Sequence, residues 1–278
     1  MPRQVLLIEC PDRKGLVHEI TGVLYCHGMN VTGNAEFVDR INNRFFMRTE
    51  FEGALDQRPE VAELRALLPE GHRVRLAECR KRNIVLLVTR EPHCLGDLLI
   101  RHAFGQLSAN IQAVIGNRER LRPLVEKFNI PYHFLPSDGL TRGAHEAGLL
   151  KVLEPLAPEY LVLAKYMRVL SPDFVARYEQ RIVNIHHSFL PAFAGAEPYR
   201  QAYERGVKII GATAHFVTAD LDQGPIIAQS VIPVDHSQGA QDMAKLGMDV
   251  EKVALARALR LVLEDRVFVS GNRTIIFE

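Results

Sequence analysis

The apolar positions of this chain follow two rhythms. Over the first eighty residues, short apolar runs alternate with amphipathic stretches. "QVLLIEC" (4–10) predicts a strand, and Leu16, Ile20, Val23 and Leu24 recur at helical spacing until Gly28 stops that helix. "MNVTGNAEFVD" and "RFFMRTEFEG" predict two strands joined at "RINN"; residues 59–69 predict a second helix with proline at each end; "HRVRLAEC" predicts a fourth strand. The order βαββαβ is that of a ferredoxin-like unit, with helices on one face of an antiparallel sheet.

After the charged stretch "ECRKRN" (78–83), read as a linker between a domain over 1–80 and one over 84–278, the pattern changes. Strands at 84–89, 111–116, 160–164 and 181–185 are nearly continuous apolar runs, with helical segments near 94–106, 118–128, 143–155 and 172–179 between them. Such alternation predicts parallel strands buried on both faces, a Rossmann-like, mostly parallel sheet. "IIGATAHFV" and "GPIIAQSVIPV" predict a closing antiparallel pair, followed by a long helix over about 240–264 and a small hairpin around Ser270–Asn272. The expected fold class is α/β, with the ferredoxin-like domain first.

Ligands of open parallel sheets bind beyond the carboxyl ends of the strands. The strand "RIVNI" runs into "NIHHSFLPAFAG", which places Asn184, His186, His187 and Ser188 at such an end; His215, Asp220 and Asp222 follow on and just beyond the next strand. Burying so many polar groups costs about 1–3 kcal/mol for each one left unpaired. A strand end facing a crevice therefore favours function over mere loop capping. Asn184 offers an amide N–H to a carbonyl oxygen, His186 donates or takes a proton, and Asp222 can hold the imidazole or deprotonate water. Ser188 lacks the glycines of a nucleophile elbow, and Cys94 is distant in sequence. The trio suits direct attack of water or an amine on a carbonyl, with the oxyanion stabilised by fixed donors. Metal is not expected. His186 and His187 are adjacent and would point to opposite faces of an extended strand, and no HxxxH spacing occurs.

Composition narrows the classes further. The 278 residues are 47% hydrophobic and 24% charged, with 34 basic and 33 acidic side chains giving a net charge of +1. That balance provides no basic footprint for nucleic acid or an anionic membrane. No apolar stretch approaches the roughly 20 residues of a membrane span, and "MPRQVLLIEC" has too short an apolar run for a signal peptide. Four scattered cysteines without a CxxC pair read as reduced thiols, so a cytoplasmic location is expected. No GxGxxG follows any strand, which disfavours a nucleotide-binding oxidoreductase.

"NIHHSFLPAFAG" followed by "GATAHFVTADLDQGPIIAQ" resembles the folate-dependent formyltransferase family. The resemblance implies catalytic roles for Asn184, His186 and Asp222, and a formyl group carried on the nitrogen of a reduced folate. "YMRVLSP" (166–172) is similar to the segment whose backbone binds the pterin, so Met167, Arg168, Val169 and Leu170, with His215 and the loop from Thr218 to Asp222, are implied in substrate binding. Read alone, Met167, Val169 and Leu170 serve equally as core or loop anchors and Arg168 as a solvated charge. Relatives that formylate a phosphorylated amine cradle the phosphate in a glycine-rich loop. Here "LVTREPHCLGDLL" (87–99) brings Glu91 and Pro92 and keeps only Gly96.

The remaining acceptor is water, and the resemblance over 84–277 extends to the hydrolase branch, the formyltetrahydrofolate deformylases. It implies release of formate and tetrahydrofolate in one-carbon and purine metabolism without metal or nucleotide cofactor, the alternative being transfer to an unidentified amine. Glu197 stands where that pattern has a basic residue. "IECPDRKGLVHEITGVLYCHGMNV" resembles an ACT domain, implying oligomerisation and a small amino-acid effector near Asp12, Gly15, Leu16 and Asn30, though Gly15 and Gly28 serve turns in any case.

Overall fold

The computed structural model of the 278-residue chain describes residues 3–54, 59–192 and 198–278. Glu197 lies outside the described residues. By internal contacts the chain divides into two units.

The first unit comprises residues up to Arg80, together with Glu264–Phe268 and Ile276–Glu278. Its elements are β1 (Arg3–Pro11), α1 (Leu16–Cys26), β2 (Asn30–Asp39), β3 (Arg44–Glu52), α2 (Val61–Leu67) and β4 (Arg73–Glu78). The sheet order β2-β3-β1-β4 is antiparallel throughout, the ferredoxin-like arrangement expected from the sequence. The helical stripe Leu16, Ile20, Val23 and Leu24 packs on Leu6, Ile8, Phe45, Met47 and Phe51 from one sheet face. The tail was expected to belong wholly with residues 84–278. Its two segments instead count with the first unit, where Phe268 sets its ring edge-on to Phe46.

The second unit comprises Lys81–Leu263 and Val269–Ile275. It builds β5 (Arg82–Val88), α3 (His93–Ala103), β6 (Ala109–Gly116), α4 (Arg122–Glu126), β7 (Tyr132–Phe134), α5 (Arg142–Leu156), β8 (Tyr160–Leu163), α6 (Pro172–Arg177), β9 (Ile182–His186), α7 (Pro198–Glu204), β10 (Ile209–Phe216), β11 (Ile226–Pro233) and α8 (Ala240–Leu263). β12 (Val267–Ser270) and β13 (Arg273–Ile276) form the C-terminal hairpin.

The seven-stranded sheet runs β11-β10-β9-β8-β5-β6-β7. β9, β8, β5, β6 and β7 are parallel, and β10 and β11 close the edge antiparallel. Strand β7, three residues long, was too short to carry a pattern and went unpredicted. The chain reverses its progress across the sheet between β5 and β8, so the carboxyl ends of those strands open a crevice at the switch point. Fully buried Val85, Leu87, Leu161 and Ile182, packed with Leu149, Leu153 and Phe174, form the core beneath it. No helix among the described residues is long and apolar enough to cross a membrane.

Candidate active site

β9 and β10 pair so that Asn184 faces His215 and His186 faces Thr213. Side chains of directly opposed residues meet on one face of a sheet, and Asn184 Nδ2 lies 3.1 Å from His215 Nε2. His215 directs its other nitrogen, Nδ1, to the Phe216 carbonyl at 2.9 Å. A carbonyl only accepts, so Nδ1 carries the proton there. Burial holds the His215 pKa below the usual imidazole value, so the ring is neutral and Nε2 accepts from the Asn184 amide. His215, 2% exposed, thus spends both nitrogens within the protein.

Asp222 lies in the turn between β10 and β11. Its Oδ1 is 3.3 Å from His186 Nδ1 and 3.8 Å from His215 Nε2. Its backbone adopts φ +55°, in the left-handed region that Asp and Asn tolerate better than other side chains. The turn lies close against β10: a Cβ on Gly224 would fall 1.8 Å from the Phe216 oxygen. The hydrogen bond from His186 holds the Asp222 carboxyl below its ordinary pKa, against the opposing effect of burial. His186 Nε2 is buried with no partner among the described residues. With Nδ1 committed to Asp222, Nε2 is the nitrogen left for a substrate.

Asn184, His186, His187, His215 and Asp222 line one cavity of about 430 Å³ with Lys165, the segment Tyr166–Leu170, Thr218 and Leu221. Its other wall is the segment after β8. Thr89 Oγ accepts from Met167 N–H at 3.0 Å, and the Arg168 N–H reaches the Tyr166 carbonyl at 2.9 Å. The backbone amides of Val169 and Leu170 have no partner among the described residues.

Met167 and Val169 are exposed, at 59% and 46%, whereas Leu170 is buried and anchors the segment in the core. Glu146 grips the end of this segment, with Oε1 accepting from Ser171 N–H at 2.7 Å and Oε2 from the Ser171 hydroxyl at 2.5 Å. His145 Nε2 meets the Tyr166 hydroxyl at 2.6 Å. The Thr218 hydroxyl donates to the Asp220 carbonyl at 3.1 Å and shapes the opposing loop.

The sequence pattern misplaced one contributor and did not mark others. His186 and His187 were expected on opposite faces, yet their rings lie 5.0 Å apart and both line the cavity, because β9 ends at His186 and the chain turns. Lys165 sits at the carboxyl end of β8, where the strand-end rule that selected Asn184 could also have found it. Its Nζ is 3.1 Å from Glu251 Oε2. Glu251, 1% exposed on α8, also accepts from His93 Nε2 at 2.7 Å and from the Tyr199 hydroxyl at 2.8 Å. A lone acid among Met243, Gly247, Val250 and Ala254 on the buried stripe of α8 was its signal. Burial pushes the Glu251 pKa up, but the His93 hydrogen bond, the Lys165 charge and the Tyr199 hydroxyl outweigh it and hold it at about 2.

His93, Cys94 and Glu251 bring ligand-capable atoms within 4.8 Å, but the Lys165 ammonium already supplies the positive charge beside that carboxylate. Burial drives the Cys94 thiol far above its usual pKa.

The effector candidates belong to the first unit. Gly15 caps α1 at φ +92°, the half-buried Asp12 donates its N–H to the Asn43 carbonyl at 3.0 Å, and the exposed Asn30 opens β2 opposite Glu52. Leu16 is 2% exposed and belongs to the hydrophobic core, which removes its side chain from any surface site.

Known proteins resemble this chain across both of its units. A family model described as formyl transferase matches residues 82–259, and one described as ACT domain matches residues 4–69. Formyltetrahydrofolate deformylase of Escherichia coli strain K12 is 55% identical over 276 residues, 99% of each chain. That of Haemophilus influenzae is 53% identical over 274 residues, again 99% of each. The crystal structure of a formyltetrahydrofolate deformylase from Pseudomonas syringae pv. tomato superposes with a TM-score of 0.95 at 39% identity, covering 100% of this chain and 95% of that one. The chain belongs to the formyltetrahydrofolate deformylase family, with an ACT domain preceding a formyltransferase-fold domain.

Proposed function

We propose that this chain hydrolyses 10-formyltetrahydrofolate to formate and tetrahydrofolate, using Asn184, His186 and Asp222. The formyl oxygen sits between the Asn184 amide and His186 Nε2. Water adds to the formyl carbon and gives one proton to Asp222. Asn184 and the protonated His186 hold the oxyanion, an electrostatic contribution commonly about 3 kcal/mol per donor. The carbon–nitrogen bond then breaks as His186 protonates the folate nitrogen, and formic acid leaves to ionise as formate. The reading needs neither metal nor nucleotide. The open amides of Val169 and Leu170 receive the pterin ring, and the loop from Thr218 to Asp222 covers it.

The observation that carries this reading is the pairing of Asp222 with His186 Nδ1 at 3.3 Å, which leaves His186 Nε2 buried and unpartnered beside the Asn184 amide. Water rather than an amine is favoured as acceptor because the ionised Glu251 carboxylate is bonded to His93, the first residue of α3, where a phosphorylated acceptor would need a cradle. The ACT domain is the seat of a small amino-acid effector and of homo-oligomerisation, and the enzyme works in the cytoplasm. The deciding experiment is incubation of the purified protein with 10-formyltetrahydrofolate and no amine. Formate release is expected, and its dependence on an added amine acceptor would replace hydrolysis by transfer.

A further inference from the structure

We propose that His187 seats the hydrolytic water, with Lys165 as the charged wall of that subsite; this rests on the hydrolytic reading above. Three imidazoles line the cavity. His186 is committed to Asp222, and His215 to Asn184 and the Phe216 carbonyl. His187 alone of the three makes no hydrogen bond to a described residue; its ring is flanked by His186 at 5.0 Å and Tyr199 at 6.4 Å. Burial, and then the neighbouring Lys165 charge, push its pKa down to about 4, so the ring is neutral near pH 7. A neutral imidazole always keeps one nitrogen lone pair as an acceptor.

Water attacking a carbonyl must turn a lone pair toward the carbon. That requires its O–H groups to be held by acceptors elsewhere. Asp222 receives the proton that leaves, and His187 holds the hydroxyl that stays on carbon. Lys165, which lines the same cavity, has only donors and addresses the water's second lone pair. Its side chain is nine-tenths buried, its backbone is held at φ +63°, and its one ion pair among the described residues is with Glu251 at 3.1 Å. Glu251 is fixed in turn by His93 and Tyr199. An ammonium has three donors, so the ion pair leaves others to face a water or the departing formate. Burial, and then the same cation, keep His187 from protonating and losing its acceptor.

The test is steady-state kinetics of His187→Ala and His187→Gln beside the wild type, with folate affinity measured by fluorescence quenching and folding checked by near-UV circular dichroism. His187→Ala is expected to lose about 100-fold in kcat, the scale of a misplaced reactant, with folate affinity within about threefold of wild type. His187→Gln, whose amide oxygen accepts, is expected to regain part of that loss, and added imidazole to revive His187→Ala. A kcat for His187→Ala close to wild type overturns the proposal. So does a parallel loss of folate affinity and turnover, which marks a structural role. Failure of the wild type to release formate overturns the hydrolytic reading instead, so the two failures are told apart.

Discussion

Asn184 and His215 form a single hydrogen-bonded unit across two antiparallel strands, and its handedness is set by the Phe216 carbonyl. That carbonyl takes the Nδ1 proton of His215, Nε2 is left as an acceptor, and the Asn184 amide must present its N–H side to the ring. The second N–H of the amide is thereby aimed by the strands rather than left free to flip. His215→Phe removes the acceptor while preserving bulk. We expect a loss of about tenfold to a hundredfold in kcat with little change in KM, since a misplaced oxyanion donor costs transition-state stabilisation alone. Kinetics at saturating folate check this, and an equal rise in KM would make His215 a binding residue.

Gly224 extends that unit into the turn carrying Asp222. A methyl group there would meet the Phe216 oxygen at 1.8 Å. Gly224→Ala must therefore push the turn from β10 and disturb both the His215 hydrogen bond and Asp222. We expect destabilisation of about 1–3 kcal/mol, read as a melting temperature several degrees lower, together with a drop in turnover. An unchanged melting curve would contradict the close approach.

The cavity wall formed by residues 166–170 depends on Glu146. Its carboxylate holds both the amide and the hydroxyl of Ser171 and so fixes the end of the segment 166–170. Glu146→Ala should free that segment without touching the trio. The expected signature is a KM for folate raised by about tenfold with kcat nearly retained. A kcat loss at constant KM would place Glu146 in the chemistry instead.

Asp222→Asn separates backbone from charge. Asparagine tolerates the left-handed backbone at φ +55°, so the turn persists while the carboxylate is gone. Folate binding is expected to survive and formate release to fall by about three orders of magnitude. Near-normal release would remove Asp222 from the mechanism.

Much of this layout was legible in the sequence for a physical reason. Strands buried on both faces must be apolar throughout, so polar residues at their ends stand out, and Asn184 and His186 were visible as exceptions to the run "RIVNI". The βαββαβ order followed from apolar spacing in α1 and α2 and from the short runs between them. What escaped depends on contacts distant in sequence. Glu251 on α8 reads as an odd acid until His93, Lys165 and Tyr199 meet it. Strand alternation misled at His187, because alternation holds only while the strand continues and β9 stops one residue earlier. Leu16 was grouped with effector residues by the resemblance to an ACT domain, whereas its periodicity with Ile20 and Leu24 already marked it as core.

His187 also leaves a mark on stability that is independent of turnover. An imidazole titrates at about 6.5 in an unfolded chain, and at about 4 here. The folded value is depressed, so between these values the unfolded state binds more protons and stability rises with pH. The favourable contribution is fully present above pH 6.5 and is lost as pH falls through the window down to about 4. From pH 7 to pH 5 the loss from this group is on the order of 2 kcal/mol. His215, also depressed by burial, acts in the same direction and leaves a residual slope. His187→Gln removes one titrating group while keeping a polar side chain of similar reach. Its melting temperature is therefore expected to fall less than that of the wild type when calorimetry is repeated at pH 7 and pH 5. Parallel melting curves for the two proteins would mean that His187 is protonated as readily in the folded chain as in the unfolded one, and that the neutral imidazole beside Lys165 does not exist.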